Sequence, residues 1–140
     1  MAEIRIMKDY SHLVHNCIIN KLEHDFVSRT ITFFLDGGEE KGMMEVQFVG
    51  VINQDFKVID SYNLLSGIEE TDWSGLESEF PDLMNYYKHY KRISDENQKK
   101  IADRIAKCFS ISSHTGLFGY IIAESIIFKK INPANKTYSA

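Results

Sequence analysis

The 140-residue sequence predicts an α+β fold made mostly of antiparallel β-sheet. The expected arrangement is a meander plus a C-terminal hairpin, sandwich- or half-barrel-like, with one or two helices inserted around 81–107. Three observations carry this. Apolar residues alternate with period 2 through 29–35 and 44–48, as in strands with one buried face. Glycine-bearing reversals separate those runs. From 81 to 107 the apolar period lengthens to that of a helix.

Taken in order, a short helical turn over 10–15 precedes a strand over 18–24. After 25–28, Ile31, Phe33 and Leu35 share one face of the next strand while Thr30 and Thr32 take the other. Asp36-Gly37-Gly38 and the residues to Gly42 form a turn, since glycine supplies positive φ at little cost. Met44, Val46 and Phe48 then alternate with Glu45 and Gln47, and a second reversal at 53–55 returns the chain through 56–59, which makes a four-stranded meander. Pro81, followed by Leu83, Met84, Tyr87 and Tyr90 with Lys88, Lys91 and Arg92 behind them, suits a helix with a complemented dipole. Ser94-Asp95-Glu96 caps a second helix, whose apolar stripe is Ile101, Ile105 and Cys108 and whose wet face carries Lys99, Lys100, Asp103, Arg104 and Lys107. A strand at 109–113, a turn at 114–116 and a long strand over 119–130, apolar on both faces, close the fold; such a strand belongs in the middle of a sheet.

This length suits a single domain, 1–140, with a short flexible tail at 132–140, and can bury a core without metal or disulfide support. An apolar content of 44% with 12% aromatics argues for a folded globule. The apolar runs are too short to span a bilayer, and Arg5, Lys8 and Asp9 interrupt any leader-like opening, so the expected address is cytoplasmic with no membrane partner. Cys17 and Cys108 read as reduced core thiols.

Residue constellations that carry chemistry are sparse. His12 and His15, three apart, have no further ligand at metal spacing nearby, so an ordinary polar helix face is the better reading. Ser112-Ser113-His114 lacks a glycine-framed nucleophile elbow and reads as a turn, and His24-Asp25 reads as a polar strand end closing a hairpin. Gly37-Gly38 and Gly116-x-x-Gly119 lack the strand–loop–helix setting of phosphate loops. The expectation is therefore a protein that is not an enzyme and uses no cofactor or metal. An enzyme built on the histidines would need His24 and His114 within reach of each other or of a carboxylate. The other alternative, a β-rich small-ligand binder, would need an internal pocket.

The strongest functional signal is charge. At a formal net charge of −4 the chain as a whole repels phosphate backbones, which disfavours nucleic acid. Between Lys57 and Lys88 stand Asp60, Glu69, Glu70, Asp72, Glu77, Glu79 and Asp82 with no basic residue, and the single tryptophan, Trp73, lies among them. A one-signed segment holding an aromatic suits a basic protein partner. Glu69, Glu70, Asp72, Trp73, Glu77 and Glu79 are its candidate contact residues.

Four stretches carry a family resemblance. They are His24-Asp25; Phe48-Val49-Gly50-Val51; Ser61-Tyr62-Asn63-Leu64-Leu65-Ser66-Gly67-Ile68-Glu69-Glu70; and Phe109-Ser110-Ile111-Ser112-Ser113-x-x-Gly116-Leu117-x-Gly119-Tyr120-x-x-Ala123. In that order they resemble small bacterial immunity proteins encoded beside polymorphic toxins, including those of contact-dependent growth inhibition. The resemblance implies a protein without catalytic residues that binds and neutralises a cognate toxin domain, often a basic nuclease, inside the producing cell. Acidic side chains would then steer the encounter, and Trp73, Tyr62, Tyr86 and Tyr87 would supply aromatic anchors.

Overall fold

In a computed structural model, residues 6–81 and 94–131 are described. The elements are β1 (Ile6–Asp9), α1 (Ser11–Val14), β2 (Ile18–Asp25), β3 (Thr30–Asp36), α2 (Gly38–Lys41), β4 (Met43–Val49), β5 (Asn53–Lys57), β6 (Leu64–Thr71), α3 (Trp73–Glu79), α4 (Asp95–Ala102), β7 (Lys107–Thr115), β8 (Phe118–Ala123) and β9 (Ser125–Lys130). The expected α+β class with a dominant antiparallel sheet is what forms. All pairings are antiparallel, in the order β5-β8-β7-β6-β2-β3-β4-β9, and β1 also pairs with β6.

The sheet is open but strongly curled, and two bent strands cause the curl. β4 runs through Gly50 into β5, while β8 runs through the single residue Glu124 into β9. The two bent strands pair along their lengths, Met44 opposite Lys130 at one end and Lys57 opposite Phe118 at the other. Between the ladders the Glu124 amide donates to the Val49 carbonyl at 2.9 Å and the Ile52 amide to that of Ile122 at 2.8 Å. Gly50, at φ 68°, makes the corner, and the Glu124 side chain occupies the space where a Cβ would sit. On the far side β6 meets β2 only at Leu64 opposite Ile18 and pairs with β1 beyond that point.

The two halves of the curled sheet therefore face each other across one core. Ile31, Phe33, Leu35, Val46 and Phe48 from the first half meet Leu65, Ile68, Phe109, Ile111 and Ile121 from the second. Phe48 bridges them, its ring 5.6 Å from Phe33 and 5.3 Å from Phe109, both edge-on. A second, smaller core lies on the outer face of β7 and β8, where Leu76, Phe80 and partly buried Trp73 and Ile101 cover Cys108, Tyr120 and Ile122.

Several expectations are corrected. The meander has three strands, β2, β3 and β4. Residues 53–57 are not a reversal but β5, which joins β8 instead of folding back on β4 because the corner at Gly50 redirects the chain. The run over 119–130 is two strands. β8 is covered on both faces, as its apolarity requires, whereas β9 ends the sheet and leaves Ile127 40% exposed. Ser94 does cap α4, its hydroxyl accepting from the Asn97 amide at 3.2 Å, but the helix stops at Ala102. Ile101, Ile105 and Cys108 consequently form no single stripe: Ile105 is 53% exposed and Cys108 belongs to β7. Four elements were not anticipated: strand β1, the bulged strand β6, the helix α3, and α2, a single helical turn inside the stretch expected as a glycine turn. The helix expected from Pro81 through Arg92 and the tail at 132–140 lie outside the described residues. Among the described residues no helix is long and apolar enough to cross a membrane.

Candidate functional site

The acidic segment divides between a strand and a helix, and this decides which of its carboxylates meet. Successive side chains on a strand point to opposite faces. Glu69 lies opposite Ser110 on the outer face, and Glu70 lies opposite Phe109, whose ring is in the main core. The two neighbours therefore do different things. Glu70 goes with Tyr10, whose hydroxyl is raised above the usual phenol range by burial first and then by the Glu70 carboxylate. Tyr10 itself is wedged between Phe109 and Phe128, at centroid distances of 6.4 and 5.3 Å.

Glu69 shares the outer face with Asp9, its cross-strand partner on β1, and with Glu79 from the end of α3. Partial burial, then Asp9, then Glu79 push its carboxyl above the ordinary glutamate value. Asp9 is held below the usual range because it accepts from Ser11, the amide lying at 2.8 Å. Glu79 accepts the Ser110 hydroxyl at 2.7 Å. The result is a group of three carboxylates fixed by β1, β6 and α3.

Helix α3 carries the rest. Asp72 is its N-cap and accepts from the Gly75 amide at 2.8 Å, and Gly75 lets the first turn lie against Thr71, whose hydroxyl oxygen would stand 1.9 Å from a Cβ there. One turn apart, the Trp73 indole N–H donates to Glu77 while the ring packs partly on the outer core. Trp73 is thus a packing residue that keeps part of its surface in solvent.

Beside this group a cleft of about 580 Å³ runs between α3 and the α4–β7 connection. Glu70, Asp72 and Trp73 line one wall, Arg104 and Lys107 the other. The acidic segment is therefore not answered only by water, since two cations from a distant stretch of chain face part of it. Among the described residues, however, the only ion pair is Lys21–Glu23 at 2.7 Å, away from this region. Lys88, Lys91 and Arg92, which the sequence places as neighbours of Glu79 and Asp82, lie outside the described residues.

Ser112, Ser113 and His114, expected as a turn, lie within β7, while Asp25 closes its hairpin as expected by accepting from the Val27 and Ser28 amides. His24 stacks on Phe26 at 4.2 Å, while His114 stands against His15 at 5.1 Å, so the two have separate aromatic partners. No group of three or more His, Cys, Asp and Glu suited to a metal occurs among the described residues. Among the described residues the main core is made of buried side chains, and two clefts, one lined by His24 and Arg29 and one by Trp73 and Arg104, open to the surface.

No family model matches the chain, and no curated protein matches it. A solved structure of an uncharacterized protein from Neisseria gonorrhoeae is similar, with 11% sequence identity over 93% of this chain and 100% of that one, at a TM-score of 0.49.

Proposed function

We propose that this chain is a cytoplasmic immunity protein, which binds a cognate toxin domain of basic surface, nuclease-like in charge, and neutralises it by contact. The observation that carries the proposal is the gathering of Asp9, Glu69 and Glu79 on one outer face, where burial first and then the two neighbouring carboxylates raise the Glu69 carboxyl. Like charges held together lower the stability of the free protein, and no ion pair among the described residues relieves them. A charge arrangement that opposes folding is explained if it serves binding, because complementary potential accelerates encounter and selects partners. Exposed Glu77 beside the partly buried Trp73 extends the same face. Glu70 and Asp72 contribute mainly by shaping the neighbouring cleft.

The test is co-expression with the C-terminal domain of a secreted protein encoded next to this chain, with cell survival and direct binding as readouts. Protection is expected, with an affinity that falls as salt rises. The double reversal Glu69→Lys/Glu77→Lys, which leaves the Asp72 cap and the Glu79–Ser110 bond in place, should weaken binding at least ten-fold. Unchanged affinity in a folded double variant would move the interface elsewhere, and absence of protection would remove the reading.

A further inference from the structure

We infer that His15 and His114 form a two-histidine site for a borderline divalent cation such as Zn²⁺. The two residues are far apart in sequence and are brought together by β6. The Asn16 amide donates to the Leu65 carbonyl at 2.9 Å, and the Leu65 amide donates to the Cys17 carbonyl at 2.9 Å, which fixes the end of α1 on that strand. Ser113 of β7 is the register partner of Leu65 on its other side, so His114, the next residue, arrives beside His15. Asn16, in the left-handed region at φ 65°, makes the reversal that leaves His15 at the rim.

Three features of the pair suit a metal. The His15 Nδ1 lies 3.1 Å from the Ser66 carbonyl oxygen. A carbonyl only accepts, so this bond requires the proton on Nδ1 and leaves the lone pair on Nε2. That is the outer-shell arrangement which orients a ligating imidazole. The ring centroids are 5.1 Å apart. With metal–nitrogen bonds of about 2.0–2.1 Å and about 1.1 Å from nitrogen to ring centre, two imidazoles at a tetrahedral angle have centroids roughly 5.2 Å apart. The planes cross at 78°, which two ligands of one ion tolerate because each ring turns about its own metal–nitrogen axis. Finally, both rings are exposed, so an ion enters without opening the fold.

No third His, Cys, Asp or Glu joins the pair among the described residues, so water completes the coordination. Imidazole donors favour Zn²⁺, Cu²⁺ or Ni²⁺ over the hard cations Mg²⁺ and Ca²⁺. The nearby ammonium of Lys41 is held on the backbone oxygen of His15 at 2.7 Å. The site owes nothing to the acidic face, and its success or failure leaves the immunity reading untouched.

The experiment is calorimetric titration of the full, tag-free chain with Zn²⁺, with the histidine ring signals followed by NMR. Saturable binding is expected, perturbing His15 and His114 first, and Mg²⁺ should give none. His15→Ala and His114→Gln should each weaken Zn²⁺ binding at least ten-fold with thermal melting unchanged, and His12→Ala should leave it intact. Failure to bind Zn²⁺, equal binding by the double variant, or a loss in His12→Ala as large as in His15→Ala would overturn the site.

Discussion

The hydroxyl of Ser110, 5% exposed on β7, donates to the Glu79 carboxylate at the end of α3 across 2.7 Å. One bond thus satisfies a buried polar group and holds the helix on the outer face of the sheet. The same carboxylate raises the Glu69 carboxyl, so its charge and its acceptor oxygen act in opposite directions. The conservative and the deleting substitutions should separate the two. Glu79→Gln keeps an acceptor and removes the repulsion, and is expected to be as stable as the parent or slightly more so. Glu79→Ala strands the Ser110 hydroxyl and should be less stable than Glu79→Gln by about 1–3 kcal/mol. Chemical denaturation of the two variants side by side checks the difference.

Glu69 makes a prediction about pH. Its folded carboxyl binds a proton more tightly than the unfolded one does, because burial, Asp9 and Glu79 all disfavour the charge. In the window between the ordinary glutamate value and the raised one, the folded state therefore carries more protons, and stability falls as pH rises. Above that window the full penalty is present. Glu69→Gln should raise the melting temperature at neutral pH, and the gain should shrink towards zero as the solution is acidified below the ordinary glutamate range. A gain that stays constant with pH would show that the burial and the repulsion are not what Glu69 experiences.

How much of this the sequence carried depended on whether a local pattern coincided with a tertiary one. β3 and β4 were legible because their apolar side chains, Ile31, Phe33 and Leu35, then Met44, Val46 and Phe48, sit at every second position and are all buried in the main core. β6 was not, because register shifts at Leu64/Leu65 and Leu65/Gly67 break the period. β5, Asn53 to Lys57, is polar enough to read as a turn, and only its pairing with β8 makes it a strand. At the candidate site the charge imbalance was visible. The alternation that sends Glu69 and Glu70 to opposite faces was hidden with the strand itself. Arg104 from the α4–β7 connection and Lys107 at the start of β7, which face the cleft, leave no local trace, and neither does the pairing of His15 with His114 through β6.

The two cysteines should be inert in the folded protein. Burial, with Asp72 and Glu70 adding to it, pushes the Cys108 thiol up to about 12, and burial also raises Cys17. Since the thiolate is the reactive species, neither should be labelled by an aromatic disulfide reagent at neutral pH except through unfolding. Two equivalents should react at once in denaturant, and on a timescale set by opening without it. Fast native labelling of Cys108 would mean that the outer core beneath Trp73 and Ile101 is loosely packed.

The ladder between β5 and β8 gives the sharpest structural prediction. Gly119 lies at φ 156° directly opposite Phe56, and a Cβ built on it would stand 2.0 Å from the Asp55 carbonyl oxygen. That oxygen belongs to the backbone of β5, a strand that among the described residues pairs with β8 alone, so the clash cannot be relieved by turning a side chain. Gly119→Ala should cost about 3 kcal/mol or more, combining backbone strain with overpacking. The damage should begin locally: amides in the β5–β8 ladder, Gln54 and Phe56 among them, should lose hydrogen-exchange protection before those of β3 and β4. Gly38→Ala separates conformation from contact, because Gly38 also sits at positive φ, 71°, yet nothing lies within 4 Å of its Cβ position. It should cost only the left-handed penalty, about 1–2 kcal/mol. Equal losses in the two variants would mean that the approach of β5 to Gly119 is not the constraint that seats this strand.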